Sequence, residues 1–336
     1  MNTLIIHTQL LGNGGIPRFN RNFNTAIANA KVLSLNDDKP FGSKKNKIRF
    51  LGRICYYLIR FRPSIVIIGH LNFAPIALLV RLLSGAKCIV LLHGIEAWEE
   101  RKRLKWCYRY IDEFWAVSNY TSRLFVNTNN VNEVKLKTIF NTLPSDWPIK
   151  KGVYKSFFFS VARLDTSEGY KGIDLTINAV AQLQVLLRKE NFQYIIVANG
   201  DDVQRHKTMV SDLKIEDIVV FKSNVTDDEL QQLYKDCSFF ILPSTGEGFG
   251  IVYLEAMACG KACVGAYGCG AEDVIADGVT GYLLKPSIEA ISNTIRTLIS
   301  DKELLERMGK AGLLRLKAKF IYSRFQERIE KLLEVE

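Results

Sequence analysis

Two glutamates, Glu247 and Glu255, are separated by seven residues at the end of a glycine-rich loop. Gly246, Gly248 and Gly250 surround Glu247, and because they carry no side chain a ligand can approach their backbone closely. The pattern becomes helical from residue 251, and residues 254–258 are good helix formers, so the loop is expected to lead into a helix N-terminus, which attracts anions. Carboxylates accept hydrogen bonds from sugar hydroxyls. The loop therefore suits a nucleotide-sugar, although a solvated glutamate beside an ion-paired helix glutamate fits the residues equally well.

Two cations could meet the phosphates of such a ligand. Arg163 follows the apolar run 157–162, and Lys171 precedes a helical pattern that starts near residue 175. An arginine binds phosphate oxygens as a planar fork and a lysine binds them as a point charge. The alternative is a pair of ordinary surface cations.

The first half of the chain offers a second glycine loop and a histidine. Gly14 and Gly15 lie between a strand pattern and a helix pattern, where backbone amides can hold a phosphate. The spacing is not that of a dinucleotide-binding fingerprint, and a tight turn with positive φ is the alternative. His93 follows the apolar run 88–92, and ligands of open α/β sheets bind beyond the carboxyl ends of strands. A structural histidine remains the other interpretation.

These residues need elements to position them, and apolar strand patterns alternate with helical patterns in both halves of the sequence. The alternation predicts an α/β protein with two Rossmann-like domains, whose mostly parallel sheets face an interdomain cleft. The two prolines of segment 144–148 predict a linker. We expect an N-terminal domain over 1–148, a C-terminal nucleotide-sugar-binding domain over 149–318 and a final helix in 319–336.

Composition and charge narrow the class of protein. Of the 336 residues, 48% are hydrophobic and 24% charged, which is ordinary for globular domains. The sequence lacks an apolar run of the ~20 residues that a membrane helix needs, and no signal peptide is visible. Seven scattered cysteines suggest a reducing compartment, and we expect a cytoplasmic protein. No metal-binding motif is evident, and the adjacent Asp201 and Asp202 are expected to be solvated.

The charge is concentrated in the first half. Residues 1–150 have 22 basic and 9 acidic side chains, a net charge of +13, whereas residues 151–336 have 23 and 26, a net charge of −3. The segment 43–62 is basic and amphipathic, so its cations could meet anionic lipids while Phe50, Tyr56 or Tyr57 touch the interface. A solvated helix packed on the sheet is the alternative.

The run 243–260, with its continuation 262–284, resembles glycosyltransferase family 4, whose members are retaining enzymes of the GT-B fold. Glu247 and Glu255 match the E-x7-E signature of that family. The resemblance implies that Glu255 holds the ribose hydroxyls and that Glu247 and His93 are catalytic residues beside the donor sugar. It also implies that the final helix crosses back onto the first domain. The residues expected to bind the donor diphosphate are Arg163, Lys171, Gly14, Gly15, Gly248, Phe249 and Gly250.

The resemblance further implies an enzyme without a metal or other cofactor, the nucleotide-sugar being a substrate. The donor would be a UDP- or GDP-sugar, and the acceptor a glycan or a polyprenyl-diphosphate-linked glycan of cell-surface polysaccharide synthesis, with the enzyme peripheral on the inner membrane face. Ala198 and Ser223 depart from the family pattern, where many members have glycine. The alternatives are a nucleotide-sugar epimerase or hydrolase of the same fold and, more remotely, a basic nucleic-acid-binding protein.

Overall fold

The computed structural model describes residues 2–12, 14–36 and 44–334. The chain divides into two compact units, one formed by Met1–Ser145 together with Phe320–Glu336 and the other by Asp146–Lys319. Each unit contains a six-stranded sheet in which every described strand pair is parallel. Among these residues, no helix combines the length and the hydropathy of a membrane span.

The first unit has the strand order β2-β1-β3-β4-β5-β6. Its central strands are buried on both faces, as their continuous Ile, Val and Leu runs predict. Three 3-10 helices, Leu71–Phe73, Lys105–Tyr110 and Glu133–Lys135, lie in its connections. The strands and helices are β1 (Thr3–His7), α1 (Gly15–Ala26), β2 (Lys31–Ser34), α2 (Lys44–Arg60), β3 (Ile65–Ile68), α3 (Ile76–Leu83), β4 (Lys87–Leu92), α4 (Ile95–Trp98), β5 (Glu113–Ala116), α5 (Asn119–Asn129) and β6 (Leu136–Thr138).

Helix α2 packs one face on this sheet. Phe50, Ile54 and Leu58 follow one another at helical spacing and are buried in the core, with the Phe50 ring centroid 6.0 Å from that of Phe73. The expectation that Phe50 touches a membrane interface is therefore wrong, because its ring fills the core instead. Tyr57 is half-buried, and Ser43, the first residue of the basic segment, lies outside the described residues.

The second unit has the strand order β12-β11-β10-β7-β8-β9. A 3-10 helix, Thr166–Lys171, follows its first strand. The strands and helices are β7 (Phe157–Arg163), α6 (Ile173–Gln182), α7 (Gln184–Lys189), β8 (Gln193–Asn199), α8 (Val203–Asp212), β9 (Val219–Lys222), α9 (Asp227–Asp236), β10 (Phe239–Ile241), α10 (Ile251–Ala258), β11 (Ala262–Ala266), α11 (Ala271–Val274), β12 (Gly281–Leu284), α12 (Ile288–Ser300) and α13 (Lys302–Lys319).

Both sheets change direction once. In the second unit the chain builds β8 and β9 on one side of β7 and then crosses to build β10, β11 and β12 on the other. In the first unit β2 and β3 flank β1 in the same way. The connections after β7 and β10, and after β1 and β3, therefore diverge at the carboxyl ends of adjacent strands, where open α/β sheets bind ligands.

The last helix, α14 (Tyr322–Glu334), belongs to the first unit although it follows the second in sequence. The buried Phe325 ring lies edge-on to Phe19 and Phe23 of α1, at centroid distances of 5.9 and 6.4 Å. Arg328 donates a hydrogen bond to the carbonyl of Ile139 at 2.9 Å. The helix thus covers the face of the first sheet on which α1 lies.

Candidate active site

An ion pair joins the two diverging connections of the second unit. Lys171 ends the 3-10 helix after β7, and Glu247 lies in the loop after β10. The Lys171 Nζ is 2.8 Å from Glu247 Oε1, and the two side chains are only 17% and 14% exposed. Burial opposes the charge on Lys171, but the charge of Glu247 and its hydrogen bond prevail, so the pKa of Lys171 is raised. The site therefore places a charged ammonium against the Glu247 carboxyl group at the strand switch point.

Tyr170 fastens the two connections to each other. Its carbonyl accepts a hydrogen bond from the backbone amide of Thr245 at 3.0 Å. Its ring covers Gly246 so closely that a Cβ there would lie 2.3 Å from a ring carbon. The Lys171 ammonium is 5.1 Å from the same ring centroid, at cation–π distance. Tyr170 therefore fixes both the lysine and the loop that carries Glu247.

The glycine loop leads into helix α10 as the sequence predicts. Gly250 precedes the helix at a φ of +90°, and a Cβ there would lie 2.4 Å from the Tyr253 ring, so only glycine fits. The Glu247 carbonyl accepts a hydrogen bond from the amide of Gly270 at 2.7 Å. Phe249 is buried and Gly248 is half-buried, which leaves the backbone of Gly248 partly accessible. The N-terminus of an eight-residue helix thus begins next to the Lys171–Glu247 pair.

Glu255 occupies a different environment from Glu247. It lies in the second turn of α10 and is 1% exposed. Its Oε2 accepts a hydrogen bond at 2.7 Å from the hydroxyl of Tyr234, which is itself fully buried in α9. Tyr234 is a partner that the sequence did not reveal, because nothing in the 20 intervening residues indicates the contact.

Arg163, at the end of β7, is exposed to solvent. Its Nε is 3.0 Å from Asp165 Oδ2, another of its nitrogens contacts Glu168, and 66% of its side chain is exposed. The hydrogen bond with Glu168 raises its pKa, so it is charged at every physiological pH. Glu168 belongs to the 3-10 helix that ends at Lys171. Nothing in the sequence indicates the contacts that Glu168 and Tyr170 make.

In the first unit, Gly14 and Gly15 form the start of α1. Gly14 has a φ of −74° and Gly15 is the first helical residue, so neither adopts the positive φ of the tight-turn alternative. A Cβ at Gly14 would make an ordinary contact with Pro17, and one at Gly15 would meet no atom within 4 Å. The fold itself therefore leaves room for side chains at both positions. Asn13, before them, lies outside the described residues.

His93 follows β4 at the carboxyl edge of the first sheet. Its Nε2 is 2.8 Å from the carbonyl oxygen of Gly69, which makes Nε2–H the donor and leaves Nδ1 as an acceptor. Burial lowers the pKa of His93, more than the charge of Glu96 raises it. The rings of His70 and Phe19 pack against it at centroid distances of 5.9 and 5.1 Å. The structure thus holds a neutral imidazole in a fixed orientation.

Asp202 is not solvated as expected. It is 6% exposed, and its Oδ1 accepts a hydrogen bond from Arg205 Nε at 2.8 Å. Asp201 accepts one from the backbone amide of Thr166, also at 2.8 Å. Asp201 therefore fastens the connection after β8 to the one after β7, whereas the Asp202 side chain is bonded within its own connection. Over residues 2–12, 14–36 and 44–334, no group of three or more His, Cys, Asp or Glu side chains is placed to hold a metal ion.

The predicted residues are divided between the units: Arg163, Lys171, Glu247 and Glu255 belong to the second, and Gly14, Gly15 and His93 to the first. Two units with parallel six-stranded sheets define the GT-B class of glycosyltransferase folds. A crystal structure of Anabaena Alr3699/HepE in complex with UDP superimposes with a TM-score of 0.78 over 100% of both chains at 17% sequence identity.

Residues 145–315, about half of the chain, match the family model described as "Glycosyl transferases group 1". The chain belongs to this family, and the predicted resemblance to glycosyltransferase family 4 is confirmed. The match covers the second-unit group and ends before α14.

Two curated relatives are similar over shorter stretches. The alpha-1,3/1,6-mannosyltransferase ALG2 of Dictyostelium discoideum is 25% identical over 249 residues, which are 67% of this chain and 58% of the relative. A GDP-mannose-dependent alpha-(1-6)-phosphatidylinositol monomannoside mannosyltransferase of Mycolicibacterium smegmatis is 32% identical over 150 residues, 42% of this chain and 39% of the relative. The chain thus spans less than two thirds of the length of either relative.

Proposed function

We propose that the protein is a retaining glycosyltransferase that moves a sugar from a UDP- or GDP-sugar to a glycan or lipid-linked acceptor. The observation that carries the proposal is the Lys171–Glu247 pair at the strand switch point, inside the stretch that matches the family model. A buried ammonium beside a helix N-terminus favours a diphosphate, and a carboxylate beside it favours sugar hydroxyls. A nucleotide-sugar presents both groups next to each other.

In the reaction that we propose, the bond between the anomeric carbon and the diphosphate oxygen breaks, and a bond from the same carbon to an acceptor hydroxyl oxygen forms. Lys171, Arg163 and the N-terminal amides of α10 stabilise the charge that develops on the leaving diphosphate, which is the role of preorganised donors in catalysis. The acceptor proton passes to the leaving phosphate oxygen. Attack from the face that the leaving group departs retains the anomeric configuration.

The two carboxylates bind the sugar groups of the donor. Glu247 accepts hydrogen bonds from donor-sugar hydroxyls, and the diphosphate replaces it as the partner of Lys171. Glu255, held by Tyr234 at 2.7 Å, accepts from the ribose hydroxyls once α10 moves enough to admit them. Arg163 exchanges its contact with Glu168 for a phosphate oxygen. Each cation thus has an anionic partner both before and after the donor binds, which lowers the free-energy cost of keeping it charged.

We propose that Gly14, Gly15 and His93 of the first unit also bind the donor. Gly14 and Gly15 let the diphosphate approach the backbone at the start of α1, because a side chain at either position would separate the diphosphate from the backbone amides. His93 presents Nδ1 as a neutral acceptor toward the donor sugar, because its Nε2–H is used by the Gly69 carbonyl. A neutral imidazole suits this place since it adds no positive charge beside a forming oxocarbenium-like carbon.

The acceptor that we propose is a growing surface polysaccharide on a polyprenyl diphosphate, reached from the cytoplasmic side of the membrane. The net charge of +13 over residues 1–150 supports an anionic acceptor or surface. We propose that no metal ion takes part, since Arg163 and Lys171 supply the positive charge. The epimerase, hydrolase and nucleic-acid-binding alternatives gain no support from the comparisons.

Donor screening tests the binding part of the proposal. The HepE complex holds UDP, and the name of the Mycolicibacterium relative specifies GDP-mannose, so both bases belong in the screen. A donor present at 100 times its Kd stabilises the protein by about 2.7 kcal/mol. We expect UDP or GDP to raise the melting temperature in the wild type, and less in Lys171→Ala. Equal stabilisation of both proteins would remove the lysine from the diphosphate site.

Transfer assays test the catalytic part. Glu247→Ala should abolish transfer from the donor found in the screen and leave the fold intact, whereas Glu303→Ala, an exposed glutamate of the same unit, should keep full activity. Product analysis with donor alone separates the alternatives, because an altered or released sugar without an acceptor indicates an epimerase or hydrolase. Full transfer by Glu247→Ala would refute the role of this residue.

A further inference from the structure

The helical elements that cover one face of the first sheet include α2, α3 and the 3-10 helix Lys105–Tyr110. Helix α2 connects β2 to β3, α3 connects β3 to β4, and the 3-10 helix lies between β4 and β5. All three connections run in the same direction along the strand order of the sheet. Because such crossovers are right-handed, they place their helices on the same face of the sheet. In agreement, α3 contacts α2 on one side and the 3-10 helix on the other. We call these three elements the α2–α3 face.

Helix α2 is apolar on its outer side as well as on its core side. Ile48, Leu51, Tyr56 and Ile59 recur at helical spacing and are between 45% and 72% exposed. Residues 44–62 contain seven Lys and Arg and no Asp or Glu. A long helix with an exposed apolar stripe between cations has the character of a helix that lies in a membrane interface.

The exposed apolar surface continues on the neighbouring elements. Leu82 and Leu83, at the end of α3, are 70% and 37% exposed. Trp106 of the 3-10 helix is 46% exposed, and its ring lies 6.5 Å from that of Tyr110. Clustered apolar side chains rimmed by charges mark interaction surfaces, whereas single exposed ones are ordinary. Trp in particular is enriched where one side of a surface is apolar and the other wet.

A cavity of about 610 Å³ opens beside these side chains, at the amino ends of the strands. Its lining includes Arg81 of α3, Arg109 of the 3-10 helix, and Lys87 and Asp112. Lys87 is paired with Glu113 at 3.3 Å, and the Asp112 carboxylate accepts from the amide of Cys88 at 2.7 Å.

Neither Arg81 nor Arg109 has a salt bridge or side-chain hydrogen bond to another described residue. Two guanidinium groups in one polar cavity provide paired donors for phosphate oxygens. The cavity is not part of the candidate active site, since His93 and Gly15 lie at the carboxyl edge of the same sheet and the cavity at its amino edge.

We propose that the α2–α3 face binds an anionic bilayer, with the phosphate of a lipid headgroup between Arg81 and Arg109. The exposed Ile48, Ile59 and Trp106 would enter the headgroup region, and the surrounding cations would neutralise the lipid phosphates. The same cations without the apolar stripe would suit a nucleic acid, but isoleucine and leucine side chains gain nothing from a phosphate backbone. The proposal does not depend on the transfer reaction, because the cavity lies at the opposite edge of the sheet from His93 and Gly15.

Vesicle sedimentation of the full chain tests the proposal. The probes are vesicles of phosphatidylcholine alone and of phosphatidylcholine with phosphatidylglycerol. We expect binding to the second, and a partition coefficient about tenfold or more lower for the double variant Arg81→Gln, Arg109→Gln, given about 1 kcal/mol per cation near an anionic surface. The pair Ile48→Ser, Ile59→Ser should weaken binding as well, because apolar burial contributes to interfacial binding.

Matched controls come from the second unit. Arg296→Gln with Lys310→Gln removes the same charge from exposed positions, and Val185→Ser with Leu314→Ser removes two exposed apolar side chains. Both should bind vesicles like the wild type, and circular dichroism should give every variant the same melting curve.

Equal binding to neutral and anionic vesicles would overturn the proposal, and so would controls that bind as weakly as the face variants. Competition by inorganic phosphate at matched ionic strength would indicate a free anion instead of a lipid, and competition by DNA would indicate a nucleic-acid surface. Either result would also overturn it.

Discussion

Glu247 and Glu255 show how two residues that share a sequence signature can have unlike surroundings. The spacing and the glycines predicted that Glu247 lies at the N-terminus of a helix and Glu255 farther along the same helix, and the structure has both there. Glu247 is paired with a cation at 2.8 Å, and Glu255 with a buried hydroxyl at 2.7 Å. The sequence could not predict these partners, because Lys171 and Tyr234 are brought in by the packing of other elements. Their roles toward a donor remain predictions.

The Tyr234–Glu255 hydrogen bond should contribute measurably to stability. Tyr234→Phe removes the hydroxyl and leaves a buried carboxylate without that donor, and we expect a loss of about 1.5–3 kcal/mol in the free energy of unfolding. Tyr267→Phe is the control, because its hydroxyl donates to Asp277 at 2.6 Å on the exposed surface and should cost much less. Urea denaturation of both variants measures the difference. Equal losses of unfolding free energy would mean that the buried hydrogen bond stabilises the fold no more than the exposed one.

His70 predicts a pH dependence of stability. Its pKa is lowered to about 4 by burial, with Glu96 opposing the shift and His93 and Arg101 reinforcing it. A base whose pKa is lower in the folded state than in the unfolded one destabilises the fold when it must take up a proton. The stabilisation is therefore complete above about pH 6.5 and is lost as the pH falls toward 4.

His70→Asn keeps an acceptor for the Asn72 amide but cannot be protonated, so we expect a smaller fall in stability between pH 7 and 5 than in the wild type. Urea midpoints at both pH values measure it, since the slope of stability with pH reports the difference in bound protons. An unchanged pH slope in the variant would assign the acid sensitivity to other groups.

At the scale of elements, the connection after β7 and the loop after β10 are held together because the Tyr170 ring packs on Gly246. Gly246→Ala would place a Cβ 2.3 Å from the tyrosine ring, which must then move with Lys171 behind it. We expect a stability loss of about 1–3 kcal/mol and weaker stabilisation by the donor. Gly169→Ala lies in the same connection with nothing within 4 Å of its Cβ, so it should change neither. Thermal melting with and without the donor compares the two variants.

Most strands and helices, and the fold class, could be predicted from the sequence for physical reasons. Continuous apolar runs predicted the positions of the buried strands, and the alternation of these strands with helices predicted the parallel α/β class. The surroundings of single residues were less accessible. Phe50 is in the core because α2 presents two apolar sides, and a one-dimensional pattern does not say which side meets the sheet. Asp202 is buried by Arg205, a contact that local polarity does not indicate.

At the scale of the molecule, α14 completes a unit whose other elements precede residue 146. Phe325 is 1% exposed against Phe19 and Phe23, so Phe325→Ala should cost about 3–5 kcal/mol. We expect the two units to unfold in separate calorimetric transitions, and this loss to appear in the transition of the first unit and not in that of the second. Ser323→Ala, at an exposed position of the same helix, is the control. A uniform shift of both transitions would contradict the assignment of α14 to the first unit alone.

The position of α14 also has a consequence for biosynthesis. A ribosome delivers residues 1–145 first, yet Phe19 and Phe23 stay uncovered until the segment from Phe320 onward has emerged. The intervening residues 146–319 hold all the strands of their own sheet and can fold as soon as they leave the exit tunnel. At about 5–20 residues per second, the earlier-made half waits on the order of ten seconds or more with an apolar surface open to chaperones.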